Sequence, residues 1–137
     1  MLDFFQFRAL TFDCYGTMID WESGIVGALR PIIAAHHAHL SDAALLDLYS
    51  ELEAAAQQPP FHNYREVLQS VVRGIGQRLG FTPSDSEQRS LPDSIANWMP
   101  FPDTVAALPQ LKTRFRLYAI SNIDELLAAT APKLEVV

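Results

Sequence analysis

The stretch "FDCYGTMID", residues 12–20, decides the fold. It closes the apolar run "FRALTFD" (residues 7–13) with an acid, Asp13, and turns at once through Gly16 and Thr17. An apolar run of strand length without polar alternation predicts a strand covered on both faces, as in a parallel sheet. A second run of this kind, "FRLYAIS" (residues 115–121), ends in Ser121-Asn122. Open α/β sheets bind ligands beyond the carboxyl ends of their strands. Two polar strand ends far apart in sequence are therefore expected to meet at one site.

Between the two runs the periodicity is helical. Residues 23–36 read as a helix that Pro31 should kink or restart. Ser41-Asp42 opens a helix through Leu45, Leu48, Tyr49, Leu52 and Ala56, at i, i+3, i+4, i+7 and i+11. Leu68, Val71, Val72, Ile75 and Leu79 form another stripe, stopped by Gly80. Thr82-Pro83-Ser84 starts a weaker helix reaching toward Trp98. "MPFPDT" (residues 99–104) reads as a linker, after which Asp103 is expected to cap a helix through Val105, Leu108 and Leu111. Pro109 sits awkwardly in that helix. Asn122 is expected to cap a last helix from Ile123. The organisation is a partial α/β core, residues 1–20 and 99–137, with a helical insertion over 21–98. Bulk inserted directly after the first strand would act as a lid and exclude water.

The chain of 137 residues is 49% hydrophobic and 19% charged, enough for a buried core and unlike a disordered sequence. A net charge of -6 without a basic stripe argues against nucleic acid as a partner. One cysteine, Cys14, permits no internal disulfide and fits a reducing compartment. "MLDFFQFRAL" lacks the basic segment of a signal peptide, and no apolar run approaches the roughly 18 residues of a membrane span. The expectation is a cytoplasmic protein without membrane partners.

Asp13 can be read as an Asx-turn residue or as a functional carboxylate framed by backbone N–H groups of the turn. Carboxylates serve as covalent nucleophiles, forming an ester or acyl-phosphate that water later cleaves. "FDCYGTMID" after one apolar strand, with "AISN" closing another about 108 residues on, resembles the haloacid dehalogenase superfamily. "FDCYGT" with "SNIDE" is most similar to its 2-haloacid dehalogenases, whose first motif carries Tyr where the phosphatases carry a second Asp. The resemblance extends along the whole chain. It implies a Rossmann-like parallel-sheet core with an inserted helical cap.

The resemblance makes Asp13 the nucleophile that attacks the halogen-bearing carbon, with Thr17 holding it by a hydrogen bond. Ser121 and Asn122 would bind the substrate carboxylate. Independently, both side chains offer donors before a predicted helix N-terminus, which favours anions; the bland alternative is a plain helix cap. Tyr15 is informative because the phosphatases use the second Asp as general acid toward an alkoxide leaving group. With a reference pKa of about 10, Tyr serves that role poorly, whereas halide leaves without a proton. Tyr15 and Cys14 are assigned to the substrate pocket, although Cys14 equally suits a small buried hydrophobe.

Arg65, in "FHNYREV", is the candidate cation for the substrate carboxylate, with Arg30 as its rival and a solvated helical arginine as the plain alternative. His36, His37 and His39 invite a metal reading, but no convergent partner supports one. No cofactor is expected; Mg²⁺ enters only with a phosphatase.

The family also uses a lysine and a further polar group downstream of its second motif. Lys133 comes too early to be carried over, and two strands alone would leave an open sheet edge with uncovered apolar surface. Three functions remain on these residues. The first is a hydrolase dehalogenating a small 2-haloacid, in a chain that is the N-terminal portion of such an enzyme or a truncated form of it. The second is a Mg²⁺-dependent phosphatase of the same superfamily. The third is a non-catalytic remnant that binds a partner or forms a homodimer through its sheet edge.

Overall fold

The computed structural model of the chain describes residues 6–121, 123 and 127–134. Strand β1 (Ala9–Asp13) and strand β2 (Arg116–Ile120) pair in parallel, with Ala9 opposite Arg116 and Asp13 opposite Ile120. Both carboxyl ends therefore emerge together, and Ser121 follows directly on the partner of Asp13.

Side chains alternate along both strands. Leu10, Phe12, Leu117 and Ala119 are half-buried, whereas Thr11, Asp13, Arg116, Tyr118 and Ile120 are exposed. This corrects the expectation of strands covered on both faces. An apolar run identifies a strand, but whether its second face is covered depends on elements elsewhere in the fold. Here Tyr118 and Ile120 keep 51% and 63% of their surface exposed.

The described residues also form six α-helices, α1 (Trp21–Ala35), α2 (Asp42–Ala56), α3 (Tyr64–Leu79), α4 (Asp85–Ser94), α5 (Pro102–Lys112) and α6 (Leu127–Leu134), and a 3-10 turn at Ile95–Asn97. The chain divides into two compact units. One is Glu22–Asn97; the other is discontinuous, made of the chain up to Trp21 and from Trp98 onward.

The Glu22–Asn97 unit is helical and well capped. The side chains of Ser41 and Asn63 accept the Ala44 and Glu66 N–H groups at 3.2 and 2.9 Å. Ser84 forms a capping box with Glu87, whose carboxylate accepts the Ser84 N–H at 2.7 Å. Caps of this type are worth about 1 kcal/mol each. The stripes face one another: α2 packs on α3 and α3 on α4, burying Leu45, Leu48, Val67, Leu68, Val71, Val72, Ile75 and Leu91. Buried polar groups are partnered too. Tyr49 and Tyr64 share a hydrogen bond at 3.2 Å, and Tyr64 donates to Glu53.

Gly80, at φ 82°, ends α3 in the left-handed region. One turn earlier, a Cβ on Gly76 would lie 2.7 Å from the Phe81 carbonyl oxygen, so the chain folds back only over glycine.

Three expectations about helix limits need correction. Helix α1 runs through Pro31 without a restart, because Pro31 lies on the exposed side while Ile25, Leu29, Ile32 and Ile33 are buried. Helix α5 begins at Pro102 rather than behind an Asp103 cap. Proline suits a first helical position, where its missing N–H is not needed. Ile123 lies outside any helix; α6 starts at Leu127, and Asn122 lies outside the described residues.

In the discontinuous unit, α5 packs against β2 and α6 against α5. The segments on either side of the insertion are stitched together there. Asp20 N–H donates to the Met99 carbonyl at 2.9 Å, and Phe101 N–H to the Met18 carbonyl at 3.0 Å. No described helix is long and apolar enough to cross a membrane.

Candidate active site around Asp13

Strand β1 delivers Asp13 to its carboxyl end with the side chain exposed. Thr17 Oγ1 donates to Asp13 Oδ2 at 3.1 Å, which holds one carboxylate oxygen. The loop between them is closed by its own backbone. Met18 and Ile19 N–H groups both donate to the Cys14 carbonyl, at 2.8 and 3.0 Å, and Gly16 N–H donates to the Ile19 carbonyl at 2.9 Å. The expectation that turn N–H groups form an anion nest is corrected for these three, which are spent holding the loop.

Gly16 is required here on two counts. Its φ is 90°, and a Cβ would come within 2.8 Å of the Trp21 indole nitrogen.

Cys14 is wholly buried, and burial, with the Asp13 charge adding to it, pushes its thiol up to about 11. At neutral pH it is a packing group, not a nucleophile. Tyr15 is half-buried. Its hydroxyl shares a 2.7 Å hydrogen bond with Thr130 Oγ1 of α6, and its ring meets Trp98 edge-on at 5.8 Å and 82°. Burial raises the phenol above its ordinary value, with the Thr130 bond acting the other way. Tyr15 is thus a neutral aromatic wall at physiological pH.

Ser121 is half-buried and its Oγ accepts the Ile123 N–H at 3.2 Å, which leaves the hydroxyl proton to donate. Asp13, Cys14, Tyr15, Thr17 and Ser121 all belong to the discontinuous unit.

Arg65 belongs to the helical unit, in the first turn of α3, where it donates to Asp93 at 2.5 Å. Arg30 is held by the Leu40 carbonyl at 2.6 Å and by Asp42. His36 bonds Glu87 at 2.9 Å and stacks on Phe81 at 4.1 Å. Among the described residues no three His, Cys, Asp or Glu side chains are grouped to hold a metal ion.

Two partners of the loop escaped the sequence reading, Thr130 and Trp98. The signal was present: "LLAATAPKL" places one hydroxyl, Thr130, one helical turn before the buried Leu134. Lys133, on the same helix, donates to the Trp98 carbonyl at 2.9 Å.

No protein-family model and no curated protein sequence matches the chain. Solved structures do. A defluorinating L-2-haloacid dehalogenase superposes with a TM-score of 0.79 at 22% identity, over 95% of this chain and 57% of its own. The L-2-haloacid dehalogenase of Xanthobacter autotrophicus, with chloropropionic acid covalently bound, gives 0.73 at 17% identity, over 96% of this chain and 54% of its own. A putative HAD-hydrolase of Bacillus subtilis bound to magnesium, YfnB, gives 0.72 at 14% identity, over 95% and 60%. The chain spans a little more than half the length of these proteins and has, over that span, the α/β fold of the haloacid dehalogenase type.

Proposed function

We propose that the chain carries the nucleophile half of a hydrolase site of the haloacid dehalogenase type, acting on a small 2-haloacid. The observation that carries this reading is the exposed Asp13 carboxylate, held by Thr17 at 3.1 Å and followed by Tyr15 where a phosphatase needs an acid. The covalently bound chloropropionic acid of the Xanthobacter protein supports the same chemistry.

In the proposed first step an Asp13 carboxylate oxygen forms a C–O bond to C2 of the substrate. The C–halogen bond breaks and its electron pair leaves with the halide. Water then attacks the ester carbonyl, releasing the 2-hydroxyacid, regenerating the carboxylate and passing a proton to solvent. Thr17 orients the nucleophile. Ser121 and Asn122 hold the substrate carboxylate, and Tyr15 and the Cys14 backbone wall the pocket. Arg65 is the proposed cation, on the chemistry of guanidinium and carboxylate, and would exchange Asp93 for substrate. The helical unit Glu22–Asn97 is proposed as the cap. The reaction needs no cofactor.

The magnesium-bound Bacillus hydrolase favours one second reading, phosphatase chemistry with Mg²⁺ beside Asp13. A third, association with a second copy of the chain, is favoured by the exposed Tyr118 and Ile120. One experiment separates the three. The 137-residue chain is incubated with L-2-chloropropionate and, separately, with para-nitrophenyl phosphate plus Mg²⁺. Chloride release reduced at least about a thousandfold by Asp13→Asn supports the dehalogenase. Phosphate release replaces it with the phosphatase. No turnover, with a defined dimer by light scattering, leaves association.

A further inference from the structure

Helix α6 takes hold of the nucleophile loop from two directions. Thr130, wholly buried, shares its hydroxyl with Tyr15 at 2.7 Å, a link across 115 residues of sequence. Three residues on, Lys133 Nζ donates to the carbonyl of Trp98, the buried indole that meets the Tyr15 ring at 5.8 Å and 82°. The phenol is thus pinned at its oxygen and braced at its ring. The remainder of the loop is closed by its own backbone and by the Thr17–Asp13 bond at 3.1 Å.

A hydrogen bond to a buried hydroxyl is an exacting device. Removing either hydroxyl breaks the bond, and a buried polar group that loses a partner costs stability. The ring it fixes stands two residues from the nucleophile, and small errors of placement near reacting atoms reduce rates strongly.

We propose that Thr130 is a positioning residue for the Asp13 site: together with the Lys133–Trp98 brace, its buried hydroxyl holds the Tyr15 ring in one orientation and keeps the Cys14–Thr17 loop closed. The catalytic part of this role rests on the dehalogenase reading; the closure of the loop does not. Thr130 touches no substrate and acts through Tyr15.

The test uses the full chain and two readouts. Cys14 is the only cysteine and is wholly buried, so its reaction with Ellman's reagent reports the opening of this loop without any turnover. Thr130→Val and Tyr15→Phe should each speed that reaction about tenfold. The double variant should be no faster than either single, because the two changes break one bond. Thr130→Ser should restore the slow wild-type reaction. Leu108→Ala on α5, buried and distant in sequence from the loop, supplies the control for general loosening.

The proposal is overturned if Thr130→Val leaves Cys14 as protected as before, if its effect adds to that of Tyr15→Phe, or if Leu108→Ala opens Cys14 equally. Where chloride release is measurable, Thr130→Val should lower kcat about tenfold with KM nearly unchanged, and should add nothing in a Tyr15→Phe background. A chain that releases no chloride defeats the dehalogenase reading, while the thiol kinetics still decide the latch.

Discussion

The two units of this chain close their surfaces in opposite ways. The Glu22–Asn97 unit buries most of its helical stripes, caps its helices with Ser41, Asn63 and Ser84, and pairs its buried phenols. The unit containing Asp13 has two strands, and one row of their side chains, Tyr118 and Ile120 among them, stays exposed. A helix satisfies its own backbone, so a few amphipathic helices can finish a core by themselves. A strand satisfies its backbone only through neighbours, and its stability depends on what pairs with it and covers it. The helical unit is therefore expected to set the stability of the chain, and the sheet unit to set its chemistry and associations.

The sharpest way to break that division is in the helical core. Leu68 is fully buried, with 0% of its surface accessible. Leu68→Ala should lower unfolding free energy by about 2–5 kcal/mol in urea denaturation followed by helical ellipticity. A loss below about 1 kcal/mol would mean that this core is loosely packed and that the contrast between units is wrong.

That stripe was also the most legible part of the sequence. Leu68, Val71, Val72, Ile75 and Leu79 repeat with the period of a helix, and Gly80 stops it at a positive φ. Local rules sufficed because the contacts are local. Strand identity was legible because each apolar run is itself a short local pattern, although its partner is distant, and Asp13 with Thr17 was legible because four residues separate them. What stayed hidden were facts held by distant residues. No local pattern says that Thr130 reaches Tyr15 across 115 residues. The proline positions failed through the reverse error: Pro31 and Pro102 break rules for a helix interior, yet one sits on an outer face and the other at a first turn.

A second test addresses how the helical unit handles polarity. Tyr64 is buried, bonds Tyr49 and donates to Glu53, and burial, reinforced by Tyr49 and Glu53, pushes its phenol far up. Tyr64→Phe keeps the ring but removes one hydrogen bond from Tyr49 and one from Glu53, so it should cost about 1–3 kcal/mol by the same denaturation. An effect near zero would show that the existing Tyr49–Glu53 bond at 3.3 Å suffices without Tyr64, and that this network follows the packing instead of fixing it.

The open row of β2 gives the opposite expectation. Ile120→Ser replaces a side chain already 63% exposed, so stability should change by less than about 0.5 kcal/mol. Any effect belongs to association: if Ile120 is a contact between copies, light scattering at high concentration should shift toward monomer. A large stability loss in a monomeric protein would show that this row is covered in solution, which would erase the contrast between the units.

The smallest expected effect is a pH dependence confined to the helical unit. The Ser84 N–H and hydroxyl, with His36 adding to them, hold the Glu87 carboxyl below the ordinary carboxylate range. Because its folded value lies below its unfolded value of about 4.3, Glu87 contributes stability that is fully present above that pH. The contribution is lost as pH falls further, through the folded value. Glu87→Gln removes the charge and with it this acid-side loss, while every other carboxylate titrates alike in both proteins. Melting temperatures recorded from pH 6 down to 3 should therefore converge, the wild type starting higher and falling faster below about pH 4.3. Parallel curves would mean that the Ser84 box holds Glu87 no better than water does, and that α4 begins there by propensity alone.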